Sequence, residues 1–220
     1  MKPNKGECYL CGVPADTRDH IPPLGLFPEP RPNNLITVPA CLACNRNRSL
    51  DDEYFRVVVA AGSRDSPRST VLLHQRIIPR MRQKPALILD FLKSVRPMDI
   101  HSEGGIYLGR GPGFSIDRPR IQAVVDKIVR GLFFKHTNRR LAADYVVEDF
   151  VYNPKVERPL HDAITQLPLF KIGDGSVFSY RYYLADEAGS ESFWFLMFYN
   201  DTSLFITRTS SPATARCPTS

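Results

Sequence analysis

Long apolar runs are missing from this chain of 220 residues. The longest, Phe193–Tyr199, falls far short of the ~20 residues that cross a bilayer. Met1–Glu7 holds no apolar stretch, so no signal peptide is read there. A soluble, cytoplasmic protein with no membrane partner is the expectation. Cysteine is scarce and concentrated. Four of the five fall in two Cys-x-x-Cys pairs, and Cys217 stands alone. A small secreted disulfide scaffold spreads its cysteines, so this pattern excludes one and suits a metal site in a reducing compartment. Nucleotide-binding loops are lacking as well. The run Gly109-Arg110-Gly111-Pro112-Gly113 matches neither a P-loop nor a dinucleotide fingerprint and reads as a turn. No internal repeat is visible. Acidic residues are rare between Ser63 and Lys84, where six basic residues face Asp65 alone.

What is present is ordinary in bulk. Hydrophobic residues make up 43% and charged residues 24%, as in a globular protein with one core or a small metal module plus a domain. The net charge of +6 favours a polyanionic partner without deciding for one.

Taken in order, Thr17–Ile21 reads as a short strand stopped by Pro22 and Pro23. Leu24–Asn33 is loop, with a glycine and three prolines. Leu35–Val38 is a second strand, ended by Pro39, and Cys41–Arg48 begins a short helix. Helices are expected near 50–61, from Pro85 to Pro97, and at 160–167. The clearest runs over about 119–141, where Ile121, Val124, Val125, Ile128, Val129, Leu132 and Phe133 recur at helical spacing. Arg120, Lys127, Arg130 and Lys135 fall off that stripe. Gly104–Ser115 suggests a strand and a turn, and Tyr145–Val151 a strand. The end is β-rich, with strands at 177–184, 192–199 and 204–208, and their aromatic residues suit a sheet core. The tail from Ser210 has the composition of a disordered segment.

The cysteines have the form C-x2-C-x29-C-x2-C. Each x2 pair lets two sulfurs meet one ion, so Cys8, Cys11, Cys41 and Cys44 suit one tetrahedral structural zinc. Two redox pairs are the competing reading, but neither pair opens a helix beside a βαβ pattern. Between the pairs lies Asp19-His20, and Asn45 follows the last cysteine.

As a set, Cys8, Cys11, Asp19, His20, Asn34, Cys41, Cys44 and Asn45 resemble the HNH endonuclease family in its zinc-bound form. The resemblance covers about residues 5–55. Asn45 stands where the family name implies histidine. Asn45-Arg46-Asn47-Arg48-Ser49 is similar to a run in the HNH domain of CRISPR effector nucleases. The resemblance implies a ββα-metal fold and hydrolysis of phosphodiester bonds. The residue types fit that chemistry. Neutral His20 can take a proton from water near neutral pH. Asp19 and Asn45 offer the oxygen ligands that Mg²⁺ or Mn²⁺ prefers. Asn34 would orient His20, while Arg46 and Arg48 would clamp phosphate. Neighbours on a regular strand point to opposite faces, so Asp19 and His20 share one site only where the strand bends.

The expectation is an α+β protein. Residues 1–55 would form the nuclease module, 56–209 an accessory domain, and 210–220 a tail. Its substrate would be double-stranded DNA, tracked by Arg76, Arg80 and Arg82 along the backbone. Double-strand cutting by one active site would favour a homodimer or two successive nicks. The alternative is a non-catalytic, zinc-dependent nucleic-acid-binding module.

Overall fold

The computed structural model describes residues 6–46, 49–63, 66–79, 85–102, 104–152, 156–185, 191–200 and 202–211. The chain opens with a tight knuckle. Cys8 N–H donates to Val13 O (2.8 Å) and Gly12 N–H returns to Cys8 O (2.9 Å). Gly12 supplies the turn with φ of +79°. Strand β1 (Thr17–Ile21) then pairs antiparallel with β2 (Ile36–Ala40), Asp19 opposite Val38 and His20 opposite Thr37. Contrary to expectation, β2 runs through Pro39. Pro39 O accepts from Tyr9 N–H (3.0 Å), on the side away from β1. The missing proline N–H points the same way, so it costs no ladder bond. Helix α1 (Leu42–Arg46) follows, its first N–H bonded to Asp16 Oδ1 at 2.7 Å.

Helix α2 (Ser49–Gly62) buries Tyr54, Phe55, Val57 and Val58. It crosses the division expected at residue 55. Helix α3 (Pro67–Leu72) continues into a wider turn at Leu73–Ile77, within the basic segment. Helix α4 (Pro85–Ser94) leads into a hairpin of β3 (Val95–His101) and β4 (Tyr107–Phe114), longer than the strand and turn expected.

Helix α5 (Arg118–Thr137) is the central element. Asp117 caps its start by accepting from Arg120 N–H. It stops four residues before the predicted end, because Asn138 takes the left-handed conformation that closes a helix. Its apolar stripe is buried as predicted, but Lys127 is buried with it, at 1% exposure. That corrects the expectation that Lys127 lies off the stripe.

Two-residue strands β5 (Val146–Val147) and β6 (Val151–Tyr152) replace the single strand expected there. Helix α6 (Arg158–Gln166) precedes β7 (Phe170–Ile172), β8 (Phe178–Leu184), β9 (Ser192–Phe198) and β10 (Ser203–Ser210). These strands form one antiparallel sheet in the order β5-β10-β9-β8-β7, with β6 also on β10. Cross-strand pairs such as Phe178 with Phe198 and Tyr182 with Trp194 fill it with aromatic rings. β10 reaches Ser210, and the tail beyond 211 lies outside the described residues.

The chain is therefore mixed α+β. One buried core joins Ile21 and Val38 of the N-terminal part to Val124, Phe178 and Trp194 beyond it. Tyr199 OH donates to Leu26 O (2.9 Å), tying the sheet to the loop after β1. Among the described residues, no helix is long and apolar enough to cross a membrane.

Candidate metal centre and adjoining cavity

The knuckle and the start of α1 bring four sulfurs together. The Sγ atoms of Cys8, Cys11, Cys41 and Cys44 all lie within 4.8 Å of one another. Cys11 Sγ and Cys41 Sγ are 3.6 Å apart. Zinc–sulfur bonds of about 2.3 Å in a tetrahedron give sulfur–sulfur edges of about 3.8 Å. The spacing fits one zinc ion and is too wide for a disulfide. Cys44 N–H donates to Cys41 Sγ (3.4 Å), as a thiolate ligand requires. Burial pushes the Cys8 thiol up, but backbone N–H groups of Cys11, Cys41 and Leu10 outweigh it and bring it down to about 7. Burial and the neighbouring thiols push Cys44 up instead. Four thiolates cannot share this space without a cation.

Beside this cluster lies a cavity of about 260 Å³. Asp19, His20 and Asn45 line it with Pro23, Leu24, Gly25, Asp52, Glu53 and Arg56. Asp19 and His20 both border it although they are neighbours within β1. Gly25 lets the Arg56 guanidinium lie close: a Cβ would stand 2.6 Å from its Nη1 and would push it aside. Asn45 Nδ2 donates to Thr17 Oγ1 and to Arg18 O, both at 3.2 Å. A carbonyl partner can only accept, which fixes the amide and leaves Oδ1 as its oxygen for a cation. Burial lowers the His20 pKa, the Asp19 carboxylate opposes that, and Arg31, Arg18 and Lys127 add to the lowering.

Asp19 is more engaged than its sequence context implies. It is 5% exposed. Its Oδ2 accepts from Tyr9 OH (2.9 Å) and meets Lys127 Nζ at 3.2 Å. Lys127 Nζ also meets Asp52 Oδ2 at 3.0 Å. Burial and then the Asp19 charge hold the Tyr9 phenol far above its ordinary pKa, so it donates. Asp52 is pushed up by burial, against the pull of Lys127. Two carboxylates share one ammonium, and Asp52 Oδ1 is buried with no hydrogen-bond partner. A buried carboxylate oxygen left in that state favours a further cation nearby.

Asn34 requires a correction. Its Nδ2 donates to Lys171 O (3.1 Å) and its Oδ1 accepts from Gly173 N–H (2.7 Å). Both ends of the amide are spent on the turn after β7, so it does not orient His20. Arg76 also has a structural partner: its Nη2 lies 3.0 Å from Glu29 Oε1, which Arg31 Nη2 approaches at 3.1 Å. Arg46 is exposed on the last turn of α1. Arg48, Arg80 and Arg82 lie outside the described residues.

Sequence reasoning missed Tyr9, Asp52, Glu53, Arg56 and Lys127. Asp52 and Arg56 carried a readable signal, being one helical turn apart just after Asn45. Lys127 carried none, since a lysine at the edge of an apolar stripe ordinarily reaches water. No protein-family model, curated protein or solved structure matches this chain.

Proposed function

We infer that this protein is a metal-dependent HNH-type endonuclease acting on double-stranded DNA. The observation that carries this reading is the cavity where Asp19, His20 and Asn45 meet beside the four-cysteine cluster. The antiparallel β1–β2 pair followed by α1 is the order of elements a ββα-metal module needs. Zinc at the cysteines would be structural, clamping the knuckle to α1.

The residues also fit a divalent cation at the cavity. Asp19 and Asn45 would hold it through oxygen, with Asp52 close by. A divalent cation there supplies charge stabilisation at the phosphoryl group and the leaving oxygen. His20 acts as general base, accepting a proton from the attacking water at an imidazole kept neutral near pH 7 by its surroundings. Arg46, exposed beside Asn45, binds the phosphate backbone. Among the described residues one such cavity is present, so cutting both strands would take two chains or two successive nicks.

A supercoiled plasmid incubated with Mg²⁺ or Mn²⁺, with and without EDTA, tests the reading. Nicking that EDTA abolishes is expected. The commitment of Asp19 Oδ2 to Tyr9 and Lys127 favours the alternative, a zinc-dependent nucleic-acid-binding module without catalysis. DNA retention in a gel shift without nicking under either metal would establish that alternative and reject the nuclease.

A further inference from the structure

Among the described residues, Lys127 is the only lysine or arginine in the buried set. A buried ammonium is costly unless partners surround it. Asp19 of β1 and Asp52 of α2 are those partners, at 3.2 and 3.0 Å. The geometry follows from two matched repeats. Asp19 and Ile21 lie on one face of β1, about 6.7 Å apart by strand rise. Lys127 and Gly131 lie one turn apart on α5, about 6 Å by helix rise. Gly131 receives Ile21 side chain against side-chain-free backbone, where a Cβ would come within 2.5 Å of it. The same alignment brings Lys127 to Asp19.

We propose that Lys127 is a positioning residue of the Asp19–His20 site. Its ammonium and the Tyr9 hydroxyl both occupy Asp19 Oδ2. That fixes the carboxylate plane and leaves Oδ1 as the oxygen for a cation. Helix α5 is thereby part of the machinery, although it lies far outside the motif in sequence. This role rests on the nuclease reading for its effect on turnover, but cation binding reports it separately.

The test uses the full chain and the variants Asp52→Asn and Asp52→Asn/Lys127→Met. The first removes a negative charge. The second also removes a positive one, so it carries the wild-type net charge. On electrostatics alone, adding Lys127→Met to Asp52→Asn should tighten Mn²⁺ binding. Positioning demands the opposite: Mn²⁺ bound about tenfold more weakly, read by electron paramagnetic resonance titration. Turnover on plasmid DNA should fall about 10²-fold further, with KM for DNA nearly unchanged. Zinc content, and Leu132→Ala as a buried α5 variant without charge, control for stability. Leu132→Ala should keep both Mn²⁺ binding and turnover. Equal or tighter Mn²⁺ binding in the double variant overturns the proposal while plasmid nicking by the wild type still stands. A wild type that binds Mn²⁺ without nicking rejects the nuclease, and the Mn²⁺ comparison still judges Lys127. A wild type that binds no Mn²⁺ overturns both.

Discussion

Gly131 of α5 has no side chain where Ile21 of β1 lies. A Cβ at that glycine would stand 2.5 Å from Ile21 Cγ1 and 2.6 Å from Cδ1. Alanine here gains about 0.5–1 kcal/mol of helix propensity. Overpacking a filled core costs about 1–3 kcal/mol, so the loss dominates. Gly131→Ala should lower the melting temperature. An unchanged or raised value would mean that β1 shifts freely against α5.

The cysteine cluster predicts about one zinc per chain in protein purified without added metal. Cys8→Ser should abolish it, since Cys8 is fully buried among the other three sulfurs. Cys217→Ser should leave zinc unchanged. Elemental analysis reads both, and soluble folded protein without zinc would reject the assignment.

The local pattern of the site was legible because its ligands are close in sequence. Spacing alone placed the four cysteines, and turn residues placed β1 within its observed bounds. The alternating strands at the end were legible for the same reason. Lys127 was not, because its role comes from a contact between β1 and a helix about a hundred residues on. Tyr9, ten residues before Asp19, was not because only the folded knuckle turns its hydroxyl onto that carboxylate. Asn34 was misread for a related reason. The family resemblance set it beside His20, but the partners it finds are Lys171 O and Gly173 N–H at the turn after β7. Spacing fixes what local backbone can reach and leaves open what tertiary packing brings in.

That turn makes Asn34 informative. Asn34→Ala removes two hydrogen bonds at an exposed position, where each contributes about 0.5–1.5 kcal/mol at most. Denaturant unfolding should show a loss of no more than about 3 kcal/mol for the two together. Cleavage should stay near the wild-type rate, because the amide does not line the cavity. A loss of cleavage of about 10²-fold would restore Asn34 to the site.

His136 gives the fold a pH dependence. Its Nε2 meets Tyr180 OH at 2.9 Å and its Nδ1 meets Tyr182 OH at 3.1 Å. Burial, and secondarily Lys135, lowers its pKa below 6.5. Between that lowered value and about 6.5, the unfolded chain binds more protons than the folded one. Stability is therefore full above about pH 6.5 and declines as pH falls through the folded value. His20 is lowered too and contributes in the same direction. His136→Gln should flatten part of the decline between pH 7.5 and 5.5 in urea titrations. An equally steep decline in the variant would place its origin elsewhere.

The last prediction separates chemistry from architecture inside the cavity. Asp19 serves both, so its replacement is ambiguous. Asp19→Ala strips the buried Lys127 of one of its two carboxylates, and breaking a buried pair costs about 3–5 kcal/mol. Asp52 remains, which places the loss toward the lower end, yet reduced cleavage could still reflect a loosened β1. His20 lacks that entanglement. It is only half-buried, and its neighbour Asp19 already has Lys127 as counter-ion. His20→Ala should therefore keep zinc content, melting temperature and Mn²⁺ binding close to wild type. If the imidazole takes the proton from water, cleavage should fall by ~10²-fold or more, the usual loss for a general base. Cleavage within about tenfold of wild type would reject His20 as the base even if the protein cuts DNA. A collapse of stability alongside the lost cleavage would instead make His20 part of the frame, and the proton acceptor would have to be sought among Asp52 and Glu53, the carboxylates besides Asp19 that line the cavity.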